Sequence, residues 1–260
     1  MRRLAVLALL ALLGAGCGGG GGGSASPSDI AGAAKKTARS GSLEADFAIS
    51  GAGLNGNGSG VFNTGESRSG QLTMTVTAGG RQIPVETIVA GNVLYMRSSV
   101  FAQTLTEGKQ WIKVDLAELA KQRGTDLSSF LNASPTPTNA LAYLAGASDV
   151  KKVGSESVQG TKTTHYEVTV DLQRAASRAK GTVRASLERA ISQSRLKTLP
   201  LDVWVDGSGY IRKVNYEERA GGGQPAEVTM ELHDFGTSVS IKPPPSGSVV
   251  DLMKTLQQGG

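Results

Sequence analysis

The sequence is poor in the residues that most catalytic and metal sites are built from. The 260-residue chain has a single cysteine, Cys17, so it forms no internal disulfide and no multi-thiolate metal site. The only histidines, the residues that most often serve as bases, are His165 and His233, and no H-E-x-x-H, G-x-S-x-G or S-x-x-K pattern falls where structure would support it. Aromatic residues make up 5% of the chain, few for a densely packed β protein. The longest apolar run, Leu4 to Leu13, is ten residues, too short to span a bilayer as a helix. Neither charge sign dominates: the 27 basic and 22 acidic residues give +5, too mild a balance to argue for nucleic acid.

What is present begins at the N-terminus. Met1-Arg2-Arg3 followed by Leu4–Leu13 has the charged start and apolar centre of an export signal. It ends in Leu13-Gly14-Ala15-Gly16-Cys17 and resembles a bacterial lipoprotein signal, whose cysteine is acylated and becomes the new N-terminus. The departure is Gly14, where that signal usually has leucine. Gly18 to Gly23 and Ser24-Ala25-Ser26-Pro27-Ser28 then read as a flexible leash. About twelve such residues reach roughly 20 Å. The expected organisation is a signal over 1–16, a lipidated Cys17 and tether over 17–29, and one domain over 30–260. Removing Arg2 and Arg3 with the signal leaves 25 basic against 22 acidic residues.

The body of the chain alternates with period two. Leu43, Ala45, Phe47 and Ile49 alternate with Glu44, Asp46 and Ser50. Leu72, Met74 and Val76 alternate with threonines, and after Gly79-Gly80 the pattern resumes at Ile83, Val85 and Val89. Val93–Arg97, Trp111–Val114 and Val150–Val158 are further strands. Tyr166, Val168 and Val170 then oppose His165, Glu167 and Thr169, as Leu201, Val203 and Val205 oppose Asp202, Trp204 and Asp206. Past the Asp206-Gly-Ser-Gly209 turn come Tyr210–Glu218 and a strand with Val228, Met230 and Leu232 on one side. Short turns make this an antiparallel meander with one apolar and one wet face. Gly51–Gly60 reads as a turn region, and Val239 and Ile241 as a last strand before Pro243-Pro244-Pro245. Asp202 and Asp206, flanking Trp204, could offer paired carboxylates to a metal, or keep an outer face soluble and shape a turn.

Helices are expected over Ile30–Arg39 with Asp29 as its cap, Leu116–Arg123 capped by Asp115, Asn139–Ala145 and Ser248–Leu256. The stretch Leu172–Lys197 has apolar residues at three- and four-residue spacing and a weak point at Gly181. It carries Arg174, Arg178, Lys180, Arg184, Arg189, Arg195 and Lys197 against Glu188 alone, so positive charge is concentrated in this one element. Two readings stay open, a solvated helix face and a contact with anionic lipid headgroups or wall polymers, where each cation contributes about 1 kcal/mol. No aromatic stacking residues lie among these cations, which argues against nucleic acid. Gly51-Ala-Gly53-Leu-Asn-Gly56 matches the dinucleotide fingerprint in letters only, because more glycines and a strand follow it rather than a helix.

Together Cys17, Trp111-Ile-Lys-Val-Asp115, Gly160-Thr-Lys-Thr-Thr-His165-Tyr166, Leu199-Pro-Leu-Asp-Val-Trp204-Val-Asp206 and Asp234-Phe235-Gly236 before Pro243-Pro244 resemble the LppX/LprAFG family of actinobacterial envelope lipoproteins. The resemblance spans about Leu43 to Asp251. It implies an α+β fold: a strongly curved antiparallel sheet, a half-barrel, with helices covering its concave face around a hydrophobic cavity, as in the similar LolA-like carriers. It further implies a membrane-anchored, non-enzymatic carrier of acylated lipid or glycolipid on the extracytoplasmic face, without a cofactor, and an envelope transporter as partner. Candidate cavity residues are Phe47, Ile49, Leu72, Met74, Val76, Val85, Tyr166, Val168, Val203, Val205, Met230 and Leu232. Candidate membrane-surface contacts are Arg174, Arg178, Lys180, Arg184 and Arg189. The residues themselves leave a rival open, a binding module for a protein or wall polymer in which these apolar sets are ordinary core.

Overall fold

The computed structural model describes residues 25–51, 53–65, 69–102, 105, 108–116, 118, 136–194, 196–218 and 225–258. Its strands are β1 (Ser42–Gly51), β2 (Leu54–Asn63), β3 (Ser69–Ala78), β4 (Arg81–Ala90), β5 (Val93–Ser98), β6 (Trp111–Asp115), β7 (Ala147–Val158), β8 (Thr161–Asp171), β9 (Thr198–Asp206), β10 (Ile211–Glu218), β11 (Ala226–His233) and β12 (Val249–Asp251). They form one sheet in the order β12-β6-β5-β4-β3-β2-β1-β11-β10-β9-β8-β7, not closed into a barrel. Every pairing is antiparallel except the short parallel contact of β12 with β6. Two meanders, β1 to β6 and β7 to β11, meet where β1 pairs with β11. The α+β architecture expected from the sequence is therefore present.

The helices are α1 (Pro27–Ala38), α2 (Ser99–Ala102), α3 (Pro137–Leu144), α4 (Leu172–Arg178), α5 (Gly181–Ser194) and α6 (Leu252–Gln258). Helix α1 begins three residues earlier than its apolar pattern suggests. Ser26 is the cap and Asp29 sits one turn inside, its carboxylate accepting from the Ser26 backbone N–H at 2.8 Å. Pro27 at the first helical position has no N–H to leave unpaired. Helix α3 starts in the same way, with Thr136 as cap and Pro137 after it. The basic stretch is split into α4 and α5, and the break falls at Gly181, whose φ of +56° favours glycine. Asp115 accepts from the Glu118 N–H at 3.0 Å, in the manner of a cap; the rest of the helix expected there lies outside the described residues, as do Cys17 and most of the tether.

Three expectations fail. The glycine- and asparagine-rich stretch is strand β2 rather than a turn, and its pairing with β1 begins at Leu54 opposite Gly51. Val239 and Ile241 lie in a segment without ladder pairing, ahead of prolines that have no N–H to donate. The C-terminal stretch is a 3-10 turn over Ser246–Ser248, strand β12 and then α6, instead of one terminal helix from Ser248. Strand β7 itself runs as expected, with a bulge between Lys152 and Gly154 where the register against β8 shifts.

Helices α1, α3, α4 and α5 gather over the β7–β10 half of the sheet's inner face. Ile30, Ala33 and Ala34 of α1, Ala140, Leu141 and Leu144 of α3, Leu172, Ala175 and Ala176 of α4 and Leu187 of α5 are buried there. The seam is tied by Thr37, whose hydroxyl donates to the Ala33 carbonyl and accepts from the Ile211 N–H, both at 2.9 Å. A second, smaller core lies at the far end, where Met253 of α6 packs with Leu94 and Val114.

Candidate functional site

Strand register places all twelve sequence-derived cavity candidates on this inner face. One row of directly paired residues runs Tyr166, Val203, Val214, Met230, Phe47, Gly58, Met74, Val85 and Ser98, across β8 to β5. Beside it run Val168, Leu201, Tyr216, Val228, Ile49, Gly56, Val76 and Ile83. On the other side Leu232, Ala45, Gly60, Leu72 and Thr87 form a third row, and Val205 pairs with Ile211. Because side chains alternate between faces, register alone fixes this shared side.

Burial changes along these rows. Val203 and Met230 are fully buried beneath the helices, and Phe47 and Val168 are nearly so. Toward β3 and β4 the cover thins: Met74 is 7% exposed, while Leu72, Val76, Ile83 and Val85 are only half-buried. Among the described residues, Ile83 and Val85 join neither the main core nor the Met253 core. Leu72 and Val76 sit at the rim of the main core and Ile83 and Val85 lie beyond it, so an apolar strip of β3 and β4, called the trough below, runs past the residues that the described helices bury.

The floor of this trough depends on three glycines that the sequence pattern misassigned. Gly56, Gly58 and Gly60 are the inward residues of β2. A Cβ on Gly58 would stand 2.7 Å from both Cα and Cγ of Met74, and one on Gly60 would stand 2.9 Å from the Phe62 ring. Close approach of β2 and β3 thus requires glycine, and Met74 and Phe62 lie over the strip it leaves. Phe62 also packs edge-on to Phe47, with ring centroids 5.8 Å apart. The signal was available: glycine at alternate positions between two clear strands is a strand with one bare face.

The outer face is polar, and it carries both histidines. His165 is mostly covered rather than freely exposed: its ring stacks on Trp204 at 4.2 Å, and Nε2 meets Asp202 at 2.7 Å. Its Nδ1 lies 3.2 Å from Glu156, outside hydrogen-bond geometry, while Glu156 accepts from the Trp204 indole at 2.9 Å. Asp202 and Asp206 do not converge on a metal. Asp206 is buried at the β9–β10 turn, where it accepts from the Ser208 and Tyr210 N–H groups and from Arg212. Burial alone pushes its carboxyl upward, but the Tyr210 N–H, the Arg212 guanidinium and the Ser208 N–H outweigh that and hold it below the usual range.

The basic helices use part of their charge internally. Arg178 donates to the Ala145 carbonyl at the end of α3 at 2.6 Å, Arg174 to the Ala147 carbonyl at 3.3 Å, and Arg184 pairs with Glu188 at 2.8 Å. Lys180 is exposed, and the Arg189 side chain lies outside the described residues. No described helix is long and apolar enough to cross a membrane.

This architecture has relatives. The fold is similar to that of LprF from Mycobacterium bovis, with a TM-score of 0.53 and 14% identity over 86% of this chain and all of that one. LppX from Mycobacterium tuberculosis aligns over 84% of this chain and all of its own, with a TM-score of 0.49 and 14% identity. In sequence the chain is 30% identical over 218 residues to a 31.2 kDa Streptomyces griseus protein encoded between rplA and rplJ, covering 78% of this chain and 70% of the relative. It is 25% identical over 238 residues to a Streptomyces coelicolor lipoprotein, covering 87% and 75%. The model of the LppX_LprAFG lipoprotein family matches residues 30–241, and the chain belongs to that family.

Proposed function

We propose that the protein is a lipid-anchored carrier on the extracytoplasmic face of the cell membrane, holding the acyl chains of a lipid or glycolipid in the inner-face trough. The observation that carries this is the strip at and beyond the rim of the main core, where Leu72, Val76, Ile83 and Val85 are apolar, on neighbouring paired strands and only half-buried. Each methylene moved there from water contributes about 0.8 kcal/mol, so ten contribute about 8 kcal/mol without any directed polar group. Met74 suits such a site, because an unbranched thioether with three rotatable bonds can vacate the glycine strip and repack against a guest. Phe47, Ile49 and Leu232 would line the covered end, and Tyr166, Val168, Val203, Val205 and Met230 would support it from beneath the helices.

Cys17 would carry the anchor and residues 18–29 the leash, with Lys180, Arg184 and Arg189 toward anionic headgroups. Arg174 and Arg178 contribute charge there while tying α4 to the start of β7 and to the end of α3. An envelope transporter would load or empty the trough. The experiment is native mass spectrometry of residues 18–260 purified from an actinobacterial host. Bound lipid is expected, and Val85→Asp should remove it while the protein stays folded. Lipid-free wild-type protein, or equal lipid in the variant, overturns the reading in favour of a binding module with a filled inner face.

A further inference from the structure

On the opposite face of the sheet, at the β1–β11 seam, the geometry points to a binding site for a divalent cation of the zinc class. Glu44 and His233 are directly paired across the seam, so their side chains emerge side by side. Asp234 follows His233 and would ordinarily turn to the other face. Its φ of +47° breaks the alternation and brings its carboxylate to 2.8 Å from His233 Nδ1. One ligand atom from each of Glu44, His233 and Asp234 lies within 4.8 Å of the others. An imidazole with two carboxylates is a donor set that suits zinc, whose bonds to such atoms are about 2.0–2.2 Å. Rotations of roughly 1 Å at exposed side-chain ends close the present spacing onto those bonds.

Three further features fit a cation here. The other imidazole nitrogen, Nε2, is 3.4 Å from Asp46, so with Nδ1 on the ion the Nε2 proton faces a carboxylate, the arrangement that orients metal-bound histidines. Asp46 is itself held by the Gln159 amide, which also donates to Glu231, at 2.9 and 3.1 Å. Glu44 is half-buried and has no hydrogen bond or ion pair among the described residues, so a carboxylate faces this spot without a compensating charge. Glu44 and His233 also form one wall of a groove of about 280 Å³, completed by Ser59, Val61, Gln71 and Thr73, so an open coordination position faces solvent-accessible space. The ion would bridge the two meanders at the one strand pair that joins them.

The test is calorimetric titration of Zn²⁺ into the full-length chain carrying Cys17→Ser in detergent at neutral pH, so that the thiol cannot take the ion. One site is expected, with a parallel rise in the unfolding temperature. His233→Gln and Glu44→Gln should each weaken binding at least tenfold, and Asp46→Asn, which reaches the ion only through the second imidazole nitrogen, about tenfold or more. His165→Gln should leave the affinity unchanged, which separates this site from the other histidine, and circular dichroism checks that each variant is folded. Absence of a binding heat for the chain, equal affinity in the folded Glu44→Gln and His233→Gln variants, or loss on His165→Gln overturns the assignment.

Discussion

Replacing Gly58 by alanine tests the central feature of the inner face, because the added methyl meets backbone rather than a flexible chain end. Gly58 has ordinary strand torsions, so alanine suffers no conformational strain and the penalty is packing alone. The new Cβ would lie 2.7 Å from Met74 Cα and closer still to the Thr73 carbonyl oxygen, neither of which a rotamer change can move. Overpacking in a core costs about 1–3 kcal/mol, and a clash with a paired strand belongs at or above the top of that range. For a domain of this size about 3 kcal/mol corresponds to a fall of roughly 6–12 °C in unfolding temperature. Gly56, two residues earlier on the same face, is the control. Its Cβ would stand 3.4 Å from the Thr75 carbonyl and 3.6 Å from the Met74 and Val76 side chains. Gly56→Ala should therefore be neutral or gain about 0.5–1 kcal/mol from the lost freedom of glycine in the unfolded chain. Thermal unfolding followed by circular dichroism reads both variants. Equal midpoints for the two would refute the idea that close approach at Gly58 sets the shape of the trough.

Other outcomes follow from the same structure. Asp206 has a depressed carboxyl pKa in the fold, so its contribution is present above about pH 4 and is lost as pH falls through the folded-state value. Asp206→Asn should cost about 1–3 kcal/mol at pH 7 and flatten the acid limb of a urea-midpoint profile; an unchanged profile would count against the turn assignment. Cys17→Ala should move the protein from the membrane to the soluble fraction on ultracentrifugation, and continued membrane retention would argue against an acyl anchor. Lys180→Glu with Arg184→Glu should weaken sedimentation with vesicles containing anionic lipid, most clearly at low salt, and leave binding to neutral vesicles unaltered.

Most of the sheet could be read from the residues because one face is buried and the other wet. Phe47, Met74, Val168, Val203 and Met230 announce their side by strict alternation, and the structure puts them on it. Strand β2 lacks that alternation, because a face made of Gly56, Gly58 and Gly60 carries no hydrophobic signal and mimics a loop, and only the spacing of the glycines marks it as a strand. Trp204 misleads differently: it alternates with polar residues and yet is buried, since His165 stacks on it and Lys213 lies 4.9 Å above its ring on the outer face. Both cases depend on neighbours far away in the chain.

Local chemistry in the sequence was sufficient to fix strand faces, the Asp206 turn, the break at Gly181 and the concentration of charge in one helical stretch, because each depends on side-chain period or on a single backbone torsion. Tertiary structure alone decided which faces became covered. The order of strands brought β1 against β11, placed a bare strand beside Met74, laid four of the described helices on the β7–β10 half of the inner face and kept Ile83 and Val85 of β4 outside both described cores. A hydrophobic pattern specifies that a surface must leave water, but what it meets there is set by the packing of elements distant in sequence.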